Sequence, residues 1–138
     1  MTPVTAHSNT RNRLLLLLTT ATIVAAAVVA YYGLYLILVG QREVGIAEGS
    51  TIIRSYLVPQ SSGIVPLAGS LIMIAGLTFR KLLLAWAGFG VIAVFSVLFL
   101  FGVGWELLPA IPVLFILLVM VSWLAKTSRE QIALKGNK

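Results

Sequence analysis

Four long apolar stretches dominate this chain and limit what it can fold into. The first opens with a run of five leucines, and short segments that hold almost every charge separate one stretch from the next. A helix needs about 20 largely apolar residues to cross a hydrocarbon core about 30 Å thick, and each stretch is near or above that length. We therefore predict four transmembrane helices, spans 1 to 4, at 14–39, 63–79, 82–102 and 107–125.

The composition excludes an ordinary soluble domain. Hydrophobic residues make up 59% of the 138 residues and charged residues only 10%, whereas a typical globular domain has about 25% charged residues. Folded in water, such a chain would expose too much apolar surface to stay dissolved. We predict an all-α integral membrane protein whose four helices form an antiparallel bundle, a single membrane domain over residues 1–138.

The distribution of basic residues predicts the orientation of this bundle. Eight of the 10 lie in or beside the N-terminal tail, the turn between spans 2 and 3, and the C-terminal tail. The other two, Arg42 and Arg54, lie in the loop at 40–62. Because cytoplasmic segments retain Lys and Arg, we expect the tails at 1–12 and 127–138 to be cytoplasmic. The loop at 40–62 would then face outward from a plasma (inner) membrane.

The same distribution argues against nucleic acid as a partner. A nucleic-acid binder needs a basic patch that faces water, but these basic residues flank membrane spans. Anionic lipids at the cytoplasmic surface match them better, at about 1 kcal/mol per nearby charge. We expect membrane lipids as partners and no nucleic acid.

The start of span 1 allows two interpretations. Arg11 and Arg13 followed by an apolar run resemble a secretory signal, but the run continues to Val39, beyond the usual length of a signal's apolar region. An uncleaved span is therefore favoured. The tail before it is polar, and we expect one of the residues 8–10 to cap the first helix.

Local signals predict details of the loops and turns. Apolar residues recur at helical spacing over 52–57, which indicates a short amphipathic helix after Ser50 that lies in the outer interface and ends before Pro59. A short strand is the alternative, since several of these residues also suit β structure. Pro66 should lie in the first turn of span 2, whereas Pro112 should lie deep enough in span 4 to bend it.

Small residues predict where spans 2 and 3 touch. Gly69 and Gly76 lie two turns apart on span 2, and Ala85, Gly88 and Ser96 share a face of span 3. Small residues let helices approach closely where water supplies no driving force. We expect these faces to pack against each other, with contact to a partner subunit as the alternative. Three hydroxyls are expected to add hydrogen bonds between helices, those of Thr78, Ser96 and Ser122.

Aromatic residues cluster at the predicted outer surface. Tyr31, Tyr32 and Tyr35 lie near the outer end of span 1, and Trp105 and Glu106 lie in the short turn before span 4. The tyrosines could line a quinone, carotenoid or lipid site, but they also fit the ordinary aromatic belt of membrane proteins, which we favour. Trp105 and Glu106 are the strongest candidates for a specific contact, because the short turn fixes them at the interface.

The predicted spans contain no residue that would carry acid–base or metal chemistry. The apolar cores hold no Asp, Glu, Lys, Arg or His, the chain has no cysteine, and its one histidine is His7 in the tail. Ionisable groups inside a membrane usually mark ion pathways, proton relays or ligand sites. Glu43, Glu48 and Glu106 could bind a divalent cation or act in acid–base catalysis, but they share no fixed spacing and we expect solvated loops. We predict no enzyme activity, cofactor or metal site.

These observations favour an accessory or structural subunit. Such a protein would pack against a larger membrane complex and stabilise it or help to assemble it. The alternative is a homo-oligomeric channel or uncoupled small-solute transporter, since pores can be built without charged linings. Four hydroxyls would then contribute to the pore, those of Thr19, Thr20, Thr22 and Ser96.

Overall fold

The computed structural model describes residues 3–39, 60–98 and 104–137, and every regular element within these ranges is helical. We number the helices in chain order. They are α1 (Pro3–Val39), α2 (Ile64–Thr78), α3 (Leu82–Leu98), α4 (Gly104–Leu107) and α5 (Ala110–Gly136), and a 3-10 turn, Gln60–Gly63, precedes α2. The predicted all-helical class is confirmed for this part of the chain, and the arrangement is compatible with a helical bundle.

Two of the helices are long and apolar enough to cross a membrane, over Asn9–Leu38 in α1 and Ala110–Gly136 in α5. The other two apolar helices are shorter, with 15 residues in α2 and 17 in α3. At 1.5 Å per residue, α2 is about 22 Å long and α3 about 26 Å, which is less than a hydrocarbon core about 30 Å thick. By helix length alone, the prediction of four spans therefore holds for two.

Both long helices extend beyond their predicted limits. α1 begins at Pro3, so the prediction that one of residues 8–10 caps the helix is wrong, because all three lie inside it. Proline suits the first helical position, since the N–H that it lacks would have no partner there. At the other end of the chain, α5 continues to Gly136, three turns beyond the predicted end of span 4.

The prolines and turns give a mixed outcome. Pro66 is the third residue of α2, as predicted. Pro112 is also only the third residue of α5, which has Pro109 at its N-cap, so the predicted bend has no basis because the first turn has no amide bond to lose. The turn before span 4 contains the short helix α4. The amphipathic helix predicted after Ser50 lies outside the described residues.

α2 lies between α1 and α3, and α5 packs against α1 and α3. Side chains from all five helices form one apolar core, to which α4 contributes Leu107. Its members with the least exposure include Ala26 and Val29 of α1, Met73 of α2, Ala85 and Ile92 of α3, and Leu114 and Leu118 of α5. Larger apolar residues make up most of this core, and Ala26 and Ala85 are its small members.

α1 presents two contrasting faces. Both faces follow the alternating spacing of three and four residues that is typical of helices packed side by side. The buried face consists of Thr22, Ala26, Val29, Gly33 and Leu36. The opposite face, which we call the outer face of α1, is exposed over its whole length. It consists of Leu17, Ala21, Val24, Val28, Tyr31, Tyr35 and Leu38. α1 thus turns its smaller residues inward and its larger apolar residues outward.

Candidate functional site

One close helix contact in the described structure joins α2 to α3 through glycine. A Cβ atom added at Gly88 would lie 2.5 Å from the Gly69 carbonyl oxygen and 2.5 Å from the Met73 backbone nitrogen. Gly76 lies in the same way against the backbone of Ala85. The structure therefore buries Gly69 and Gly76 between two helices of the same chain, where they are not available to a partner.

A second close contact, which the sequence analysis missed, joins α1 to the 3-10 turn. A Cβ at Gly33 would lie 2.7 Å from the Gly63 carbonyl oxygen and 2.8 Å from the Leu67 backbone nitrogen. Gly33 is flanked by large residues in the sequence, so no stripe of small residues marks it. The only signal was the glycine itself in an otherwise bulky segment.

The turn between α2 and α3 is closed by backbone hydrogen bonds. The Lys81 N–H donates to the Gly76 carbonyl at 2.7 Å, and the Arg80 N–H donates to the Leu77 carbonyl at 3.2 Å. This pair of bonds is the Schellman arrangement, in which the residue after the helix adopts a left-handed conformation and is usually glycine. Here that residue is Arg80, with φ of 56°.

The aromatic cluster at the C-terminal end of α1 is divided by the fold. The Tyr32 hydroxyl donates a hydrogen bond to the Glu106 carboxylate, which joins α1 to α4. Tyr31 and Tyr35 are exposed, at 71% and 43%. Trp105 lies in α4 beside Glu106. Of the residues singled out at this end, the structure pairs Tyr32 with Glu106.

α5 meets α3 through larger side chains. The Trp86 indole N–H donates to the Ser122 hydroxyl at 3.1 Å. The Trp86 ring packs edge-on against Phe89 and Phe115, with ring centroids 5.9 Å apart in both cases. The prediction that Ser122 bonds between helices is confirmed.

Six other hydroxyls bond within their own helices. Each donates to the carbonyl four residues earlier, at 2.7 to 2.9 Å. The prediction that Thr78 and Ser96 bond between helices is therefore wrong. The hydroxyls concerned are those of Thr19, Thr20, Thr22, Ser70, Thr78 and Ser96.

A groove of about 780 Å³ opens between the first half of α1, the α2–α3 turn and the second half of α5. Its apolar wall includes Leu15, Ile23 and Val121, and basic residues Arg80 and Arg129 line it as well. A shallower depression beside it is also lined by Arg80 and Arg129, together with Lys81 and neighbouring leucines. The groove therefore combines an apolar wall with positive charge.

Within the described ranges, no group of three or more His, Cys, Asp or Glu side chains is placed to hold a metal ion. Of the three outer glutamates considered as a cation site, Glu43 and Glu48 lie outside those ranges, and Glu106 is exposed and bonded to Tyr32. The chain matches no protein-family model, no curated protein and no solved structure. The function must therefore be argued from the surfaces of the molecule.

Proposed function

We propose that this protein is a non-catalytic accessory subunit of a larger membrane-protein complex, with its termini on the cytoplasmic side of a plasma (inner) membrane. Its four apolar helices would form an antiparallel bundle in the bilayer. The observation that carries the proposal is the exposed face of α1, because it is continuous, apolar and not covered by any other described helix.

The exposure of the long helices supports a membrane environment. The core helix of a soluble protein can be equally apolar, but it is mostly buried. Here only 17% of the most apolar window in α1 is buried, and 22% of that in α5. Leu17, Val28 and Leu38 on the outer face of α1 are each at least 64% exposed. Leaving this surface in water would be costly, at about 25 cal/mol for each Å² of apolar area.

The spacing on the outer face supports contact with another helix. Its residues alternate at intervals of three and four, so they form one stripe along the helix, and such a stripe can interlock with the side chains of a neighbouring helix. The 37 residues of α1 extend over about 55 Å. A helix of that length exceeds the hydrocarbon thickness, which would let a partner contact it both inside and beyond the bilayer.

The channel alternative has less support. Thr22 and Ser96, two of the four hydroxyls proposed to line a pore, are fully buried within one copy of the chain. Their hydroxyls already donate to backbone carbonyls of the same helix. A pore between copies would need hydroxyls on an outer surface, and of this set only Thr20 is exposed.

Single-cysteine crosslinking tests the proposal, because the chain has no cysteine of its own. Val28→Cys places a thiol on the outer face of α1, and Val29→Cys places one in the core, where Val29 is 2% exposed. A third variant, Val94→Cys, labels the exposed surface of α3. Each would be reacted in native membranes with a thiol-directed photo-crosslinker, extracted in mild detergent and analysed by mass spectrometry.

We expect Val28→Cys to give a defined adduct with a larger membrane protein, and Val29→Cys to remain unlabelled. Val94→Cys should give weaker and more varied products. Adducts of Val28→Cys with lipid alone would contradict the proposal. Adducts only with a second copy of the chain would also contradict it, and would favour the homo-oligomer.

A further inference from the structure

The groove between α1, the α2–α3 turn and α5 has two chemically different parts. The apolar part is formed by side chains such as Leu15, Ile23, Leu77 and Val121. The hydroxyls of Thr19 and Thr20 also line it, but each donates to its own helix, at 2.8 and 2.9 Å. The hydrogens of these hydroxyls are therefore already used in hydrogen bonds, so the wall behaves as a largely apolar surface.

The other part of the groove is basic. Arg80 comes from the α2–α3 turn and Arg129 from α5, so two separate elements bring positive charge to one opening. Both arginines also line the adjoining depression, together with Lys81. Among the described residues that line these two surfaces, none is acidic. Both arginines are exposed, so they are accessible to a ligand.

Arg80 occupies a conformation that its side chain does not favour. Its φ of 56° lies in the left-handed region, which costs an ordinary residue about 1 kcal/mol relative to glycine. Glycine would close the same turn without this cost. The chain instead keeps a long cationic side chain at the edge of the groove, where it can contact an anion.

We infer that this groove binds one anionic phospholipid, with the phosphate at Arg80 and Arg129 and an acyl chain along the apolar wall. Basic pockets between membrane helices commonly hold acidic lipid headgroups, and arginine matches phosphate geometry well. Free phosphate would leave the apolar wall unused, and an apolar helix would leave both arginines without a counter-charge. The residues of α1 that line the groove are not those of the outer face assigned to the partner. The lipid site can therefore be tested independently of the proposed function.

Native mass spectrometry of the purified full chain in a neutral detergent tests this inference. Phosphatidylglycerol and phosphatidylcholine with identical acyl chains would be titrated separately, and inorganic phosphate would serve as the probe for the headgroup alone. Arg80→Gly is the main variant, because it removes the charge and relieves the backbone strain, so it should melt at the same temperature or higher without lipid. Arg129→Gln removes the second charge. Arg13→Gln and Lys126→Gln are matched controls that remove exposed charges outside the groove.

We expect one phosphatidylglycerol to bind tightly to the wild-type chain and phosphatidylcholine to bind much more weakly. Arg80→Gly and Arg129→Gln should each weaken phosphatidylglycerol binding about fivefold, and the two controls should change it less than about twofold. Equal binding of both lipids would overturn the inference, as would equal losses in groove and control variants. It would also be overturned if inorganic phosphate bound as tightly as phosphatidylglycerol. A dimer held together at this groove, and displaced by lipid, would overturn it as well.

Discussion

The two sides of the molecule are built on different principles. On one side, α2 contacts α1 and α3 through backbone, with glycines at Gly33, Gly69 and Gly88 so close that a Cβ would meet neighbouring main-chain atoms. On the other side, α5 contacts its neighbours through larger side chains such as Trp86 and Phe115. We call the contacts of α2 the sealed side, because the helices leave no space between them. We call the contacts of α5 the open side, because the groove remains there.

This difference shows how a small helical protein can combine a fixed frame with a binding surface. Backbone contact gains dispersion energy over the whole length of the α2–α3 pair, and it leaves no space for a ligand. Aromatic rings such as Trp86 and Phe115 fill the contact between α3 and α5, whereas the groove lies between α1, the α2–α3 turn and α5. A fixed frame and an open groove thus occupy different helix contacts of the same chain.

The largest expected effect concerns the sealed side. Gly88→Ala places a Cβ 2.5 Å from main-chain atoms of α2, so α3 must move away, and overpacking of this kind costs about 3 kcal/mol. We expect a clear fall in the melting temperature measured in detergent. Gly90→Ala is the matched control on the same helix, because a Cβ there meets nothing within 4 Å. Equal melting temperatures for the two variants would show that the close contact is not what holds α2 to α3.

The next effect concerns the C-terminal end of α1. Tyr32→Phe removes the hydroxyl that donates to Glu106 and should lower the free energy of unfolding by about 1 kcal/mol. Glu106→Gln should have a smaller effect, since an amide oxygen can still accept the bond. Tyr31→Phe is the control, because Tyr31 is 71% exposed. If the melting temperatures of the Tyr31 and Tyr32 variants fell by the same amount, the pairing would carry no stability.

A smaller effect is expected on the open side. Trp86→Phe and Ser122→Ala each remove the indole–hydroxyl hydrogen bond. A double-mutant cycle measured by unfolding in detergent should give a coupling energy of about 0.6 kcal/mol, the average for hydrogen bonds between membrane helices. A coupling energy as large as the Gly88→Ala effect would contradict the expectation that this contact between α3 and α5 stabilises the fold less than the contact between α2 and α3.

The smallest effect is expected at Ser62, next to the close contact between Gly33 and Gly63. The Ser62 hydroxyl is buried and has no hydrogen-bond partner among the described residues. Because an unpaired buried hydroxyl costs free energy, Ser62→Ala should leave the melting temperature unchanged or raise it slightly. A fall of several degrees would mean that this hydroxyl has a partner in the 40–59 segment.

The sequence was sufficient to predict the sealed side in part. Gly69, Gly76 and Gly88 were identified because they are small residues at helical spacing, and spacing is a property of the sequence itself. Gly33 was missed because it lies between large residues, and Gly63 was missed because it lies at the predicted start of span 2. Their closeness depends on how α1 crosses the 3-10 turn, and no local pattern encodes that crossing.

The remaining contacts were less predictable. Tyr32 and Glu106 were each singled out, but their hydrogen bond depends on the direction of α4, a helix of only 4 residues. The hydroxyls of Thr78 and Ser96 were assigned to helix contacts because membrane interiors offer few partners, whereas the nearest acceptor is the carbonyl one turn earlier. The groove depends on the distance between α1 and α5, which no local pattern in the sequence encodes.

Because the connection at Arg80 and Lys81 is short, the packing of α2 against α3 should be sensitive to the insertion or deletion of a residue. Successive residues of a helix are offset by about 100° around its axis. One residue inserted between Lys81 and Ala85 would therefore rotate the remainder of α3 and carry Gly88 away from Gly69. This segment should tolerate many changes of side chain, but it should not tolerate any gain or loss of a residue.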